Sequence, residues 1–233
     1  MPTHRLGEEL DVGVNAAVRA SRLRWAAIGA TAFVVLYGVH RLLQGLGPET
    51  SAPADLAAWI GDQRVPLLAS ELALGVALLA VIVFAAPLAV VLHDDGDAVT
   101  AAAFGLASAV FIAMGLVSLT AETALFAAAT DPAETALAVL DALQTRVPNV
   151  LAGSALAATL APAFLRRRIG WRWLGIVSLV AAAFFALGFV FGVLGSAPEG
   201  RGSVFGVAVF IVWMALVTAA LWRAAAVEAR RAA

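Results

Sequence analysis

Six apolar runs, each close to the roughly 20 residues that a helix needs to cross about 30 Å of hydrocarbon, constrain this chain more than any other feature. They extend from Trp25 to Gly45, Val65 to Leu92, Ala98 to Thr120, Val147 to Leu165, Trp173 to Leu194 and Val204 to Trp222. The runs are continuous and rich in Ala and Leu, which predicts helices. A membrane β-barrel would alternate apolar and polar residues in segments of about ten. Composition points the same way: 62% of residues are hydrophobic and 13% charged, with a mean hydropathy of +0.94. A soluble domain is usually about half apolar and a quarter charged. At 233 residues, a soluble fold has too small an interior to hide this much apolar surface. The expected fold is all-α: a polytopic transmembrane bundle of six spans over residues 25–222. It is flanked by a cytoplasmic amphipathic tail (1–24) and a short C-terminal tail (223–233).

The arginines give the orientation. All 15 basic residues are arginine. They gather in the N-terminal tail (Arg5, Arg19, Arg22, Arg24), between spans four and five (Arg166, Arg167, Arg168, Arg172), and after span six (Arg223, Arg230, Arg231). Six spans put these three segments on one side, and the positive-inside rule makes that side cytoplasmic. The acidic loop Asp94-Asp95-Gly96-Asp97 falls on the same side and reads as a solvated turn. Leu10, Val14 and Val18 recur at helical spacing among charges, which reads either as a short helix lying on the membrane surface or as a frayed tail. On the outer side, Ala54 to Ile60 reads as an interfacial helix with Trp59 at the headgroups. Residues 121–145 read either as outward extensions of spans three and four or as two short outer helices, with Asp131-Pro132 as a helix-start signal.

Several chemistries are excluded or left without parts. The chain has no cysteine, which removes disulfides, thiolate nucleophiles and thiolate metal sites. It has no lysine, so no Schiff base can form. His4, His40 and His93 fall at different depths, which argues against a haem held by two histidines or a conventional zinc site. No nucleophile–base set, HExxH, Walker motif or GxGxxG fingerprint occurs, so neither an enzyme nor a cofactor is expected. A net charge of −1 gives no basic surface for nucleic acid.

Ionisable groups inside a membrane are costly, which makes them the first candidates for function. Counting about 1.5 Å per residue, His40 and Arg41 fall roughly 22–24 Å into span one. Glu71 falls about 31 Å from Leu92, and Glu122 at a similar height on span three. Asp141 and Arg146 come just before span four on the same outer side. These six residues form the candidate cluster. Its sharp reading is an outward-facing pocket with Arg41 paired to Glu71 and Arg146 to Glu122 or Asp141. Ser70, Thr120, Thr123, Gln144 and Asn149 would supply further hydrogen bonds. Its plain reading is a set of interfacial ion pairs that fix helix register.

The stretch Ala163 to Val193, an arginine-rich turn followed by a Trp-Leu-Gly-Ile entry into the next span, resembles uncharacterised bacterial six-helix membrane proteins grouped as a domain of unknown function. The segment Thr120-Ala121-Glu122-Thr123-Ala124-Leu125 is similar to the same group, which often carries a glutamate there. The resemblance covers about a third of the chain and implies the architecture, with no activity attached. The expectation is a multi-pass protein of the bacterial cytoplasmic membrane whose first partner is the lipid bilayer. It would act as a structural or regulatory protein or an accessory subunit, assembling with itself or another protein through spans five and six. The alternative is a small transporter or ligand-binding protein that uses the outer charged cluster.

Overall fold

The computed structural model describes residues 3–45, 53–128, 149–166, 168–193 and 201–233. Every element among them is a helix: α1 (Thr3–Gln44), α2 (Pro53–Asp62), α3 (Arg64–Asp94), α4 (Ala98–Ala128), α5 (Asn149–Leu165), α6 (Arg172–Val193) and α7 (Arg201–Ala232). Five of them, α1, α3, α4, α6 and α7, are long and apolar enough to cross a membrane, and the apolar part of α5, Leu151–Leu165, is shorter. The protein is therefore a multi-pass helical bundle of the membrane type. Helix α3 shows why lipid is the matching solvent. It buries Leu74, Ala77, Val81, Phe84 and Leu88 on one side and exposes Leu68, Leu72, Val76, Leu79 and Val83 on the other. A soluble helix would carry polar residues on that second side.

The long helices pack in chain order. α1 lies on α3, α3 on α4, α4 on α5, α5 on α6, α6 on α7, and α7 returns to α1, closing a ring. Without a hydrophobic drive between helices in lipid, close approach and dispersion hold such seams together. Glycines allow that approach at two of them. A Cβ on Gly29 of α1 would stand 2.4 Å from the Phe84 amide nitrogen of α3, and one on Gly175 of α6 would stand 2.8 Å from the Leu165 nitrogen of α5. Aromatic rings fill the centre. Phe33 of α1 meets Phe111 of α4 and Phe210 of α7 at 5.9 Å, Phe111 stacks on Phe210 at 5.5 Å, and Phe185 of α6 meets Phe210 at 5.8 Å.

One end of the ring is tied by charge. The α3–α4 turn closes as a Schellman motif, with Gly96 at φ +75° and hydrogen bonds from the Gly96 and Asp97 nitrogens to the His93 and Leu92 carbonyls. Glycine is needed there because the left-handed conformation strains residues that carry a Cβ. Asp97 then caps α4 by accepting from the Thr100 N–H at 3.2 Å. The acidic turn is ion-paired rather than merely solvated: Arg22 binds Asp94, Arg19 binds Asp95 and Arg166 binds Asp97. Arg19 also reaches Glu228 of α7 at 3.4 Å and donates to the Arg168 carbonyl at 3.1 Å. Thus α1, the α3–α4 turn, the α5–α6 turn and the end of α7 converge on one guanidinium.

Four details bear on the sequence reading. The N-terminal segment and the first span form one helix, since α1 runs unbroken from Thr3 to Gln44. The C-terminal tail is likewise the continuation of α7. Helix α4 extends to Ala128, so the third span carries on past Thr120, as one of the two readings of residues 121–145 had it. The interfacial helix expected around Trp59 forms as α2 and folds down, with Ile60 packing on Leu67, Leu125 and Phe126.

Candidate functional site

Three ionisable side chains meet where α1, α3 and α4 approach the end opposite the arginine network. His40, Glu71 and Glu122 each present one ligand atom, and these atoms all lie within 4.8 Å of one another. His40 is 2% exposed, Glu71 7% and Glu122 5%. The sequence explains their meeting by helical phase. Phe33, Tyr37, His40 and Gln44 fall on one face of α1 at three- and four-residue steps. The aromatic centre therefore leads directly into the polar cluster. Tyr37 stacks on Phe33 at 5.4 Å and lies 5.8 Å from the His40 ring.

Each polar group has a definite role. The Ser70 carbonyl can only accept, so the 3.1 Å contact with His40 Nδ1 fixes Nδ1 as the donor. A neutral His40 then carries its lone pair on Nε2. Ser70 Oγ donates to the Leu67 carbonyl at 2.8 Å and contacts Glu71 Oε1 at 3.4 Å. Gln44 Nε2 donates to Glu122 Oε2 at 3.3 Å, and Arg41 Nη1 donates to Gln44 Oε1. The Glu71 and Glu122 carboxyls each bring an oxygen within 4.8 Å of the other's. Glu71 Oε2 and Arg41 Nε are buried without a hydrogen-bond partner. Two buried carboxyls this close need compensation, from a shared proton, from the charge of Arg41 or from a bound cation, since two bare carboxylates repel strongly away from water.

The cluster is closed from both directions. Leu67 lies one turn from Glu71 toward α2, and Leu125 and Phe126 about one turn from Glu122 in the same direction; these three pack with Ile60 of α2 as an apolar cap. On the inner side stands the aromatic centre. Among the described residues, the three side chains thus lie between an apolar cap and the aromatic centre.

Of the six residues singled out in sequence, the structure gathers His40, Glu71 and Glu122, with Arg41 at the margin. Arg41 bonds Gln44 rather than Glu71, because it stands about 100° around α1 from the face that carries His40. Its guanidinium lies 5.7 Å from the Tyr37 ring centre. Asp141 and Arg146 lie outside the described residues, as do Gln144 and the Asn149 side chain. Ser70 joins the cluster as expected. Thr120 and Thr123 do not: both are exposed and bond back to their own helix, at the Leu116 and Leu119 carbonyls. Gln44 and Tyr37, not singled out in sequence, complete the shell. The stripe from Phe33 to Gln44 was the signal that could have found them.

At the other end of the bundle, the Thr100 side chain and backbone N–H, together with Arg166, hold the Asp97 carboxyl below the usual carboxylate range. That group belongs to the capping and ion-pair network rather than to a binding site.

Comparison with protein-family models, with curated proteins and with solved structures finds no match to this chain. The resemblance read at Ala163 to Val193 gains no support from them.

Proposed function

We propose that the protein is a six-span protein of the bacterial cytoplasmic membrane, with both termini inside, that binds a small cation, a proton or a metal ion, in a chamber near the outer face. The observation that carries this reading is the meeting of His40, Glu71 and Glu122 from three different helices inside an otherwise apolar bundle. Burying two carboxyls in lipid-embedded protein costs stability unless they are compensated, so packing alone does not account for them. The topology is supported by the convergence of α1, both inner turns and α7 on Arg19, which needs an even number of crossings between them. α5 then serves as the fourth span.

The binding reading is tested by melting the purified protein in detergent against a panel: pH steps, monovalent cations, divalent cations and small amines. Wild type should respond to at least one member, and Glu71→Gln and Glu122→Gln should lose that response while keeping their helical content. Equal responses of wild type and both variants to every panel member would end the proposal. Topology has a direct assay because the chain lacks cysteine. Single cysteines at Asp94, Arg168 and Ala233 should be labelled only from the cytoplasmic side, and one at Asp55 only from outside.

The accessory-subunit reading keeps one supporting observation. On Gly105 of α4 and Gly206 of α7 an added Cβ would meet nothing within 4 Å, which leaves places where another helix can come close. Crosslinking from cysteines at these two positions in native membranes tests it.

A further inference from the structure

We propose that His40, Glu71 and Glu122 are the three protein ligands of one divalent first-row transition-metal ion. This rests on the reading of the cluster as a cation site and names the cation class. Three independent features carry it. The first is the donor set: one imidazole and two carboxylates, from three helices, with donor atoms all within 4.8 Å of one another. An ion bound at about 2.1 Å from each donor in tetrahedral geometry sets the donors roughly 3.4 Å apart, so side-chain shifts of about 1 Å complete the site.

The second feature is the orientation of His40. Metal-binding histidines usually donate their other ring nitrogen to a carbonyl or carboxylate, which fixes the tautomer and leaves one lone pair for the ion. His40 Nδ1 does this with the Ser70 carbonyl at 3.1 Å. Gln44 does the equivalent for Glu122, donating at 3.3 Å and itself held by Arg41. The third feature is the unpartnered acceptor. Glu71 is more than nine-tenths buried, and its Oε2 has no hydrogen-bond partner. A buried carboxylate oxygen without a donor is costly, and a cation between the two carboxylates removes that cost.

The donor types choose among ions. Calcium and magnesium take oxygen donors and gain little from an imidazole. Copper(I) favours thiolates and thioethers, and the chain has no cysteine. Imidazole with carboxylates suits zinc, manganese and iron(II), and three protein ligands leave a further position for water or another group. Arg41 contributes positive charge nearby and directs its Nη1 into Gln44, which makes it a support behind the Gln44–Glu122 contact.

The test is a Zn²⁺ titration of the purified full-length protein in detergent, in a His4→Ala/His93→Ala background that removes the other two histidines. The expected result is one saturable Zn²⁺ site that raises the melting temperature and is not displaced by excess Mg²⁺ or Ca²⁺. Co²⁺ should give visible ligand-field absorption without thiolate bands, and Zn²⁺ should quench it. His40→Ala, Glu71→Gln and Glu122→Gln should each weaken Zn²⁺ by roughly 100-fold or more, and Gln44→Leu by about tenfold. Absence of a saturable Zn²⁺ site in the parent protein, before any ligand is changed, overturns the proposal. So does a site whose affinity and Co²⁺ spectrum survive all three ligand substitutions. If the broader panel shows a response to protons or amines alone, abolished by Glu71→Gln, the metal assignment fails and the cation-chamber reading stands. If no panel member acts, both fall.

Discussion

Replacing Gly29 with alanine should force α1 and α3 apart. The added Cβ would stand 2.4 Å from the Phe84 nitrogen, 2.7 Å from the Val83 carbonyl carbon and 2.8 Å from the Ala80 carbonyl oxygen. All three are backbone atoms of a long helix and cannot swing away. Restoring ordinary contact requires the helices to separate by about 1 Å, and a gap of that size forfeits roughly a quarter to a half of each dispersion contact it stretches. The buried residues of the two helices include Leu23, Ala26, Ala30 and Phe33 on one side and Ala77, Ala80, Val81 and Phe84 on the other. Overpacking of this kind costs about 1–3 kcal/mol. At about 2–4 °C per kcal/mol for a chain of this size, the melting temperature should fall by roughly 2–12 °C. Gly38→Ala is the control: it lies on the same helix, and its added Cβ meets nothing within 4 Å. Alanine is favoured over glycine in helices by about 1 kcal/mol, so Gly38→Ala should melt at or above the parent. Tryptophan fluorescence in detergent micelles follows both melts. If Gly29→Ala and Gly38→Ala melt together, the close α1–α3 seam is wrong.

Two further predictions concern the arginine network. Arg19→Lys should destabilise the protein by about 1–3 kcal/mol, because an ammonium cannot serve Asp95, Glu228 and the Arg168 carbonyl together. Arg22→Ala, which removes a single exposed pair with Asp94, should cost less than about 1 kcal/mol; similar losses for both in chemical denaturation would refute this ranking. Asp97 has its folded pKa held below the unfolded value, so its stabilisation is fully present above the ordinary carboxylate range and is lost as pH falls through the folded value. Melting curves from neutral pH downward should therefore show a smaller acid-induced loss in Asp97→Asn than in the parent, and an unchanged acid profile would exclude Asp97 as a contributor.

Height along a helix was legible in the sequence, and rotation about its axis was only partly so. Counting residues put His40, Glu71 and Glu122 at one level, and they do meet. The same counting paired Arg41 with Glu71, because a rise of about 1.5 Å per residue says nothing about which way adjacent residues point. On α3 and α4 the apolar residues run all the way round, so no polar face marks the interior. Glu71 and Glu122, with the buried serines Ser70, Ser108 and Ser118, mark it only at isolated positions. On α1 the face was readable, since Phe33, Tyr37, His40 and Gln44 form a stripe distinct from exposed Val35, Val39 and Leu42. The α3–α4 turn reads as a solvated acidic loop because sequence separates Arg19 from Asp95 by 76 positions, and only the ring brings them together.

Closure of that ring also orders the events of synthesis. Each long helix leaving the ribosome finds its partner in the helix made just before it, so the bundle can grow hairpin by hairpin. Helix α1 is the exception. One flank stays uncovered until α7 is made, when Trp222 Nε1 reaches Thr31 Oγ1 at 3.1 Å and Glu228 meets Arg19. Until then the nascent protein is an open arc with an unsatisfied edge, the form most exposed to insertase, chaperone or protease. Helix α7 thus acts as a latch that closes the ring on α1.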